Sequence, residues 1–321
     1  MPSETTTTRL APSPTGALHL GNARTFLLNF LLARQGGWRV LMRVEDLDGP
    51  RVKAGADAQM LDELRWLGFG WEGPVVYQSG RTAQYQAAME KIIRAGQAYP
   101  CVCSRRDIEQ AGSAPHAGEE PAGIYPGTCC NRFRSAKEAM EATGRPVAWR
   151  VRVGGRPVTV RDGFAGVHTF DLAETVGDFI IFKNDGLAAY QLAVVVDDAD
   201  AGVDAIVRGD DLLDSAARQI YLRRLLGMSP EPAYWHLPLV VGPDGRRLAK
   251  RHGDTRLTRY RRRGAAPQRI LGLLGYWSGL LPRRQEAEMA DLLKGFDLRR
   301  VPKTPVVFGK ADDDFLLGKS A

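Results

Sequence analysis

The stretch of sequence that decides the fold is residues 8–44, which read TRLAPSPTGALHLGNARTFLLNFLLARQGGWRVLMRV. It opens with a short strand pattern and a turn rich in Pro, Ser and Gly, and the apolar run 23–32 then predicts a buried helix. Gly36 and Gly37 end that helix, and residues 38–44 predict a second strand. Strand, helix and strand in this order predict a βαβ unit, with acidic residues following its second strand.

Beyond this unit the sequence continues to alternate between predicted helices and strands. Residues 112–128 are rich in Gly, Pro, Glu and Ala without periodicity and predict an insertion loop. Short alternating runs within 146–182 predict antiparallel strands of a small inserted lobe. The apolar run 190–198 is compatible with a buried helix or a strand, whereas 205–211 predicts a core strand with polar residues at its end. The expected fold class is therefore α/β, with a parallel sheet divided by an insertion and a helical region from Arg256 onward.

Composition narrows the class of protein without identifying it. The chain has 321 residues, 44% of them apolar, so it can bury enough surface for two or three lobes. Its net charge of +7 favours a polyanionic partner, although a modest basic excess is also common in proteins that bind no nucleic acid. The sequence shows no basic-then-apolar leader and no window approaching the ~20 apolar residues of a membrane span. We therefore expect a cytoplasmic protein with no membrane contact.

The turn between the first strand and the first helix carries residues suited to a nucleotide. It lies at the strand-end crevice where open α/β sheets bind ligands. His19 and Asn22 are three residues apart, which predicts both side chains on one side of a helix N-terminus, whose N–H groups favour phosphate. Gly21 between them lets a flat ligand approach the backbone. The structural alternative is a helix cap with a satisfied histidine.

A second candidate element is the loop 242–253, which reads GPDGRRLAKRHG. Glycines flank its cationic residues, so the loop can close over a triphosphate and supply positive charge to the α-phosphate. Taken alone, such a run is more often a solvated basic turn. Its pairing with the first motif, about 230 residues earlier, favours the nucleotide hypothesis.

These two elements resemble the signature motifs of the class I aminoacyl-tRNA synthetases. The His-x-Gly-His motif of that family appears as residues 19–22, with Asn22 in place of the second histidine. The Lys-Met-Ser-Lys-Ser loop appears as residues 247–251, where only Lys250 is unchanged and the other four positions differ. The resemblance implies an ATP site formed by His19, Asn22 and Lys250, the first and last of them at the phosphates. The residues assigned to the two motifs are Pro12, Gly16, His19, Gly21 and Asn22, and Arg247, Leu248, Ala249, Lys250 and Arg251.

Within this family the glutamyl branch matches best, through four separated segments in the right order. These segments are RLAPSPTG at 9–16, RVEDLD at 43–48, YQLA at 190–193 and VRGDD at 207–211. A glutamate substrate requires a guanidinium for its side-chain carboxylate and a carboxylate for its ammonium, and both types stand at strand ends here. A structural Arg–Glu ion pair is the alternative for Glu45 or Arg208. By resemblance, the residues that bind glutamate are Arg9, Ala11, Ser13, Glu45, Tyr190 and Arg208.

All four cysteines lie between Cys101 and Cys130, which argues against a disulfide framework and in favour of a local metal site. Three thiolates and one oxygen or nitrogen donor make a tetrahedral Zn²⁺ site that can hold a loop together. His116 and Cys130 are rival fourth ligands, and four free thiols are the alternative without a metal. By resemblance to the zinc site of shortened glutamyl enzymes, the ligands are Cys101, Cys103, Tyr125 and Cys129.

The C-terminal region is short for a full-length glutamyl enzyme. About 40 residues follow Leu280, fewer than a helical anticodon-binding domain requires. The chain therefore resembles the glutamyl-queuosine tRNA(Asp) synthetases. That resemblance implies activation of L-glutamate as its adenylate by ATP with Mg²⁺, without tRNA, and transfer to queuosine in the anticodon of tRNA(Asp). No side chain stands out as the general base of the transfer. Candidate contacts for the RNA backbone are Arg256, Arg259, Arg261, Arg262 and Arg263.

The implied architecture is a Rossmann-type parallel sheet of a class I synthetase, with an inserted α+β lobe that holds zinc. A short helical region follows it, without an anticodon-binding domain, and we expect a monomer. The expected division is a first half of the catalytic domain over 1–98, the inserted lobe over 99–188, a second half with the basic loop over 189–255, and a helical stem over 256–321.

Three alternatives stay open from the sequence. A truncated glutamyl-tRNA synthetase would charge the 3′ end of a tRNA and recognise its acceptor stem. A nucleotidyl transferase of the same fold would join a nucleotide to a small acid and would not need Arg9 and Arg208 together. A non-catalytic RNA-binding relative would keep the fold without the chemistry, although His19, Lys250 and the glutamate-pocket residues argue against it.

Overall fold

The structure is a computed structural model that describes most of the chain. The residues it describes are 5–14, 16–47, 52–104, 106–108, 124–246, 248 and 254–319. Most of the predicted insertion loop at 112–128 therefore lies outside the described residues. The same holds for four of the five positions of the basic loop 247–251.

The N-terminal part of the chain forms the predicted βαβ unit. Strand β1 (Thr7–Leu10) pairs in parallel with β2 (Arg39–Val44), and helix α1 (Leu20–Gln35) connects them. After helix α2 (Ala56–Trp66), the short strand β3 (Val76–Tyr77) extends this sheet beyond β2. Apolar side chains are buried on several sides of α1, because the helix packs against both the strands and the C-terminal helices.

The middle of the chain contributes strands to two different sheets. Strands β4 (Ala98–Cys101), β5 (Ala148–Val151) and β8 (Phe179–Phe182) form an antiparallel sheet. Strands β6 (Val158–Asp162) and β7 (Gly166–Phe170) form an antiparallel hairpin. The predicted antiparallel strands are therefore confirmed. The β6–β7 hairpin, however, does not pair with β4, β5 and β8 but joins the sheet of β9 and β10, which come later in the chain. The helices of this part are α3 (Thr82–Arg94), α4 (Ala136–Thr143) and α5 (Leu172–Thr175).

The run 190–198, which periodicity leaves undecided, belongs to helix α6 (Tyr190–Asp200). Seven consecutive residues of this helix, 192–198, are buried, because it packs against α3 and against helix α7 (Leu213–Leu225). Burial of successive residues removes the amphipathic period by which a helix is recognised. The helix also carries two adjacent carboxylates into the interior.

The second half returns to parallel strands. Strands β9 (Ala205–Gly209) and β10 (Ala233–Leu237) pair in parallel, and β10 also lies beside β6. Strand β9 runs next to β1, where the Asp204 N–H donates to the Thr7 carbonyl at 3.1 Å. The predicted strand 205–211 is confirmed in position, although it ends at Gly209 and a 3₁₀ turn follows.

The C-terminal region forms helices that pack on the first half of the chain. Leu257 and Ile270 share one buried cluster with Leu27 of α1. Strand β12 (Val306–Val307) pairs in parallel with β11 (Val240–Val241) and ties the two regions together. Across the described ranges, no helix combines the length and the apolar character needed to span a membrane. The helices of this region are α8 (Leu257–Arg262), α9 (Pro267–Trp277), α10 (Met289–Lys294) and α11 (Lys310–Leu316).

Candidate active site

A cavity of about 310 Å³ opens beside the carboxyl ends of β1, β2 and β9. Its position is the one predicted, because parallel strands present these ends on the same side of a sheet. Every predicted ATP or glutamate residue outside the basic loop lines this cavity, although the residues are as far apart in sequence as Arg9 and Arg208. These lining residues are Arg9, Ala11, Pro12, Ser13, Gly16, His19, Gly21, Asn22, Glu45, Tyr190 and Arg208.

His19 caps α1 instead of standing on its first turn. Its backbone is extended, with φ −114° and ψ 165°. Its Nδ1 accepts from the N–H groups of Gly21 at 3.2 Å and Asn22 at 3.4 Å. His19 is therefore the N-cap residue and not part of the first helical turn, as in the capping alternative. His19 and Asn22 nevertheless both line the cavity at this helix start, as predicted. Because Nδ1 is an acceptor, a neutral ring carries its proton on Nε2.

Gly21 makes room for this cap. A Cβ atom at position 21 would stand 3.1 Å from Cε1 and 3.2 Å from Nδ1 of the His19 ring. Separations this short are tighter than an ordinary van der Waals contact, so a larger residue would push the imidazole away from the helix start. The predicted role of Gly21, to admit a flat ligand to the backbone, stays a prediction. The protein's own imidazole already uses part of the space.

The basic segment 247–251 of the loop 242–253 stays a prediction as a whole, because four of its five positions lie outside the described residues: Arg247, Ala249, Lys250 and Arg251. It is preceded by a turn in which the Gly242 N–H donates to the Arg246 carbonyl at 2.8 Å. Leu248 is buried in the same core cluster as Leu257 of α8. Leu248 therefore anchors the loop to the core.

Buried arginines and carboxylates form a charge network at one wall of the cavity. Arg9 Nε donates to Asp198 Oδ1 at 3.1 Å, and the Arg43 guanidinium donates to the same oxygen. Arg43 Nη2 also donates to Glu45 Oε1 at 2.9 Å. The side chains of Arg9, Arg43 and Asp198 are no more than 5% exposed. One carboxylate of α6 thus holds a guanidinium from β1 and another from β2 in fixed positions.

Burial and charge act in opposite directions on the two carboxylates of this network. Burial raises the pKa of Glu45, and the ion pair with Arg43 only partly offsets the rise. Burial also favours the neutral form of Asp198, but Arg43 and Arg9 outweigh it and hold that pKa below its usual value of 3.8. For Glu45, a structural ion pair and a position at the cavity wall therefore coexist.

Arg43 and Asp198 are absent from the predicted site residues. The neighbouring Asp197 extends their network, since it accepts from Arg81 Nε at 2.6 Å and from the Tyr85 hydroxyl at 2.9 Å. The sequence did offer one signal for this network, namely two adjacent carboxylates, Asp197 and Asp198, at the end of an apolar run. Buried carboxylates require cationic partners, so buried arginines could have been expected near them. Because periodicity did not decide whether the run 190–198 is a helix or a strand, the sequence did not predict which way Asp197 and Asp198 point.

Arg208 reaches the cavity from the end region of β9. Its Nε donates to His236 Nε2 at 2.9 Å and its Nη2 donates to the Leu212 carbonyl at 3.2 Å. The third nitrogen, Nη1, is buried and has no hydrogen-bond partner among the residues that the structure describes. An unpaired buried guanidinium nitrogen is costly. This nitrogen therefore fits an anionic ligand such as a carboxylate.

Three cysteine sulfurs stand together near the end of β4. Those of Cys101, Cys103 and Cys129 lie within 4.8 Å of one another, compatible with the ~3.8 Å separation of thiolates around tetrahedral Zn²⁺. The Tyr125 hydroxyl lies 3.5 Å from the sulfurs of Cys101 and Cys103 and accepts from the Cys129 N–H at 2.8 Å. The four predicted ligands are therefore neighbours, while the rival ligand His116 lies outside the described residues.

The other rival ligand, Cys130, is engaged elsewhere. Its sulfur accepts from Arg152 Nη1 at 2.9 Å. On the opposite side of the cluster, Arg150 Nε donates to the Cys101 sulfur at 3.3 Å, and the Arg150 guanidinium carbon lies 3.7 Å from the centre of the Tyr125 ring. Thiolates are the form of cysteine that binds a metal. Three sulfurs with a phenol oxygen beside them are a donor set that fits Zn²⁺.

The arginine cluster of α8 is largely engaged within the protein. Carboxylates neutralise three of its five members, which opposes the predicted contact with an RNA backbone. Arg262 and Arg263 are exposed. The observed ion pairs are Arg256 with Asp254, Arg259 with Asp313, and Arg261 with Asp62.

The fold and the site define a known class of protein. Residues 5–311 match the family model of tRNA synthetases class I (E and Q), catalytic domain. A glutamyl-Q tRNA(Asp) synthetase from Nocardia farcinica is 48% identical, over 92% of this chain and 91% of that protein. A protein of the same name from Rhodopirellula baltica is 44% identical, over 95% of this chain and 98% of that protein. The chain belongs to the glutamyl-Q tRNA(Asp) synthetase family within class I.

Solved structures confirm the predicted fold class. A glutamate tRNA ligase from Elizabethkingia meningosepticum, in complex with its amino acid, superposes with a TM-score of 0.80 at 26% identity, covering 98% of this chain and 69% of that one. A glutamate-tRNA synthetase from Elizabethkingia anophelis gives 0.81 at 25% identity, covering 98% and 70%. The architecture is thus the α/β parallel-sheet catalytic domain of a class I synthetase.

Proposed function

We propose that this chain activates L-glutamate with ATP and transfers the glutamyl group to queuosine in the anticodon of tRNA(Asp). The observation that carries the proposal is that Arg208, whose buried Nη1 has no hydrogen-bond partner among the described residues, lines the same cavity as Arg9 and Glu45. A glutamate needs a cation for its side-chain carboxylate and an anion for its ammonium, and this cavity offers both. The names of the relatives supply the acceptor.

In this proposal, Arg208 and Arg9 bind the side-chain carboxylate, and Glu45 binds the ammonium. Ala11, Ser13 and Tyr190 complete the pocket. These contacts orient the α-carboxylate toward the start of α1, where ATP with Mg²⁺ would lie. His19 Nε2 then donates to a phosphate oxygen, and Lys250 of the basic loop supplies further positive charge.

The proposed reaction has two displacements. An oxygen of the glutamate α-carboxylate attacks the α-phosphorus, the bond to the β-phosphate oxygen breaks, and pyrophosphate leaves. A hydroxyl of queuosine then attacks the acyl carbon of the adenylate, the bond to the phosphate oxygen breaks, and AMP leaves. We assign no side chain to the proton transfer of the second step. The proposal places the enzyme in the cytoplasm and treats it as a monomer.

Transfer of labelled glutamate to purified tRNAs tests this function. We expect labelling of tRNA(Asp) that contains queuosine, and none of tRNA(Asp) that lacks it or of tRNA(Glu). Labelling of tRNA(Glu) would instead identify a truncated glutamyl-tRNA synthetase. Glutamate-dependent ATP–pyrophosphate exchange without any labelled tRNA would keep the activation step and overturn the assigned acceptor.

The proposal includes one structural Zn²⁺ held by Cys101, Cys103, Tyr125 and Cys129. We expect purified protein to contain about one zinc per chain, and Cys129→Ser to lose most of it, because structural zinc sites need their thiolates. Elemental analysis measures the metal, and thermal denaturation measures the expected loss of stability.

Cys130→Ser is the matched control for the metal prediction, since its sulfur is held by Arg152 outside the cluster. It is expected to retain zinc. A parent protein without bound metal, or equal zinc loss in Cys129→Ser and Cys130→Ser, would contradict the ligand assignment.

A further inference from the structure

A buried chain of hydrogen bonds runs behind Arg208. His236 on β10 lies between Arg208 on β9 and Asp162 on β6. Its Nε2 is 2.9 Å from Arg208 Nε, and its Nδ1 is 2.7 Å from Asp162 Oδ2. The side chains of His236 and Asp162 are fully buried, with 0% exposure. Neither residue lines the cavity, so their effect on a ligand must pass through Arg208.

The donors and acceptors of this chain fix the position of each proton. A guanidinium nitrogen can only donate, so His236 Nε2 must accept from Arg208. A neutral ring then carries its proton on Nδ1 and donates it to Asp162. Burial lowers the pKa of His236, although Asp162 opposes the shift, which agrees with a neutral ring.

Asp162 is itself held by the backbone. Its Oδ1 accepts from the N–H groups of Phe164 at 2.8 Å and Ala165 at 2.7 Å. The N–H of His236 also donates to this carboxylate, at 3.0 Å from Oδ2. Stacking fixes the imidazole, because the Tyr234 ring lies 5.8 Å away with an interplanar angle of 11°. Neither end of the Asp162–His236 pair is thus free to rotate.

We propose that Asp162 and His236 are positioning residues that hold Arg208 with Nη1 turned toward the carboxylate of the substrate. The proposal rests on the proposed function, in which Arg208 binds the side-chain carboxylate of glutamate. Asp162 sets the tautomer of His236, and His236 in turn fixes the guanidinium plane through Nε. With Nε and Nη2 both engaged, Nη1 is the nitrogen left for a ligand.

The Asp162→Asn variant distinguishes this role from simple packing. The amide oxygen of Asn would still accept the hydrogen bonds from the Phe164 and Ala165 N–H groups. The NH₂ group of Asn then stands opposite His236 Nδ1. The ring must then accept at Nδ1 and carry its proton on Nε2, where it meets the Nε–H of Arg208. Two donors that face each other repel, so the guanidinium of Arg208 is displaced. Packing alone would not cause this, because Asn and Asp at position 162 have nearly the same volume.

Kinetics of ATP–pyrophosphate exchange test the proposal. For Asp162→Asn and His236→Phe we expect the KM for glutamate to rise about 10- to 100-fold, the range for losing a hydrogen bond to a charged group. The KM for ATP should stay unchanged. His236→Gln places an acceptor oxygen near the position of Nε2, so its glutamate KM should stay close to that of the parent. Thermal denaturation of each variant separates misfolding from altered binding.

The double variant Asp162→Asn with His236→Gln tests the tautomer directly. A glutamine can accept from Arg208 whichever group stands at position 162, so the double variant should bind glutamate better than Asp162→Asn alone. His168→Gln is the matched control, since this histidine lies on the same hairpin, its Nε2 is 3.1 Å from the Ala165 carbonyl oxygen, and it does not line the cavity. It is expected to leave both KM values unchanged.

Several outcomes overturn the positioning role. These are a parent-like glutamate KM in Asp162→Asn, equal defects in His236→Phe and His236→Gln, or purely additive effects in the double variant. Failure of the proposed function is distinguishable from these results. If the proposed function is wrong, the parent protein would show no glutamate-dependent ATP–pyrophosphate exchange, or Arg208→Ala would have the same KM for glutamate as the parent. If Asp162→Asn does not fold, the two His236 variants decide.

Discussion

Replacing Arg208 with alanine is expected to raise the KM for glutamate by roughly 100- to 1,000-fold, the cost of removing one partner of a buried charge pair. Under the proposed function, the buried Nη1 of Arg208 binds the side-chain carboxylate of glutamate. Alanine removes the charge and all three nitrogens together. The proposed ATP site at the start of α1 is left intact, so the KM for ATP is expected to stay unchanged. ATP–pyrophosphate exchange at varied glutamate and ATP measures both values.

Two further variants make this result specific. Arg208→Lys keeps the charge but loses the Nε donor to His236 and the planar guanidinium, so it is expected to recover only part of the affinity. Arg161→Ala is the matched control, because Arg161 is an exposed arginine of strand β6 and does not line the cavity. Equal losses for glutamate and ATP in Arg208→Ala would remove Arg208 from the glutamate pocket.

Replacing Asp198 with alanine is expected to lower the free energy of unfolding by about 3–5 kcal/mol, the cost of breaking a buried ion pair from one side. Asp198 is the shared partner of Arg9 and Arg43, which are both buried. Without it, Arg9 loses the carboxylate that its Nε contacts, and Arg43 keeps Glu45 as its closest remaining partner. Thermal and urea denaturation followed by circular dichroism measure the loss.

The effect at Asp198 has a definite pH dependence. Because the pKa of Asp198 is held below 3.8 in the folded protein, its stabilising contribution is complete above that ordinary value. The contribution is lost as the pH falls through the depressed pKa. The stability difference between the parent and Asp198→Ala should therefore be constant near neutral pH and shrink in strong acid.

Asp185→Ala is the control for this prediction. Asp185 is half exposed and lies 3.5 Å from Lys183 at the surface, so its removal is expected to cost only about 0–1 kcal/mol. An Asp198→Ala protein as stable as Asp185→Ala would show that the buried network contributes little. A stability difference that persists undiminished in strong acid would assign the effect to packing instead of charge.

The location of the site was more predictable from the sequence than its geometry. Carboxyl ends of parallel strands meet in space, so the motifs around Arg9, Glu45 and Arg208 could be assigned to one sheet edge from the strand and helix pattern. Their presence around one cavity confirms that step. Local periodicity carries this information, because each strand or helix is recognised within a few neighbouring residues.

The supporting contacts join residues that are distant in the chain. Asp198 meets Arg9 across 189 positions, and Asp162 meets His236 across 74. Such contacts depend on how helices and strands pack against one another, and local sequence patterns do not predict that packing. The α6 run adds to the difficulty, since its buried face extends over consecutive residues. The helix start was also hard to place, because α1 begins at Leu20, before the apolar run 23–32, and pattern-based assignment is least accurate at helix boundaries.

The hairpin β6–β7 lies in the region between the two halves of the catalytic domain, yet it pairs with β10 and supplies the carboxylate that contacts His236. The intervening region is therefore not an exchangeable module. A recombination event that replaced it with the equivalent region of a distant relative would also replace a residue that supports Arg208 at the proposed amino-acid pocket. Under the proposed function, a change of sequence in that hairpin would therefore also alter how tightly the enzyme binds its amino acid.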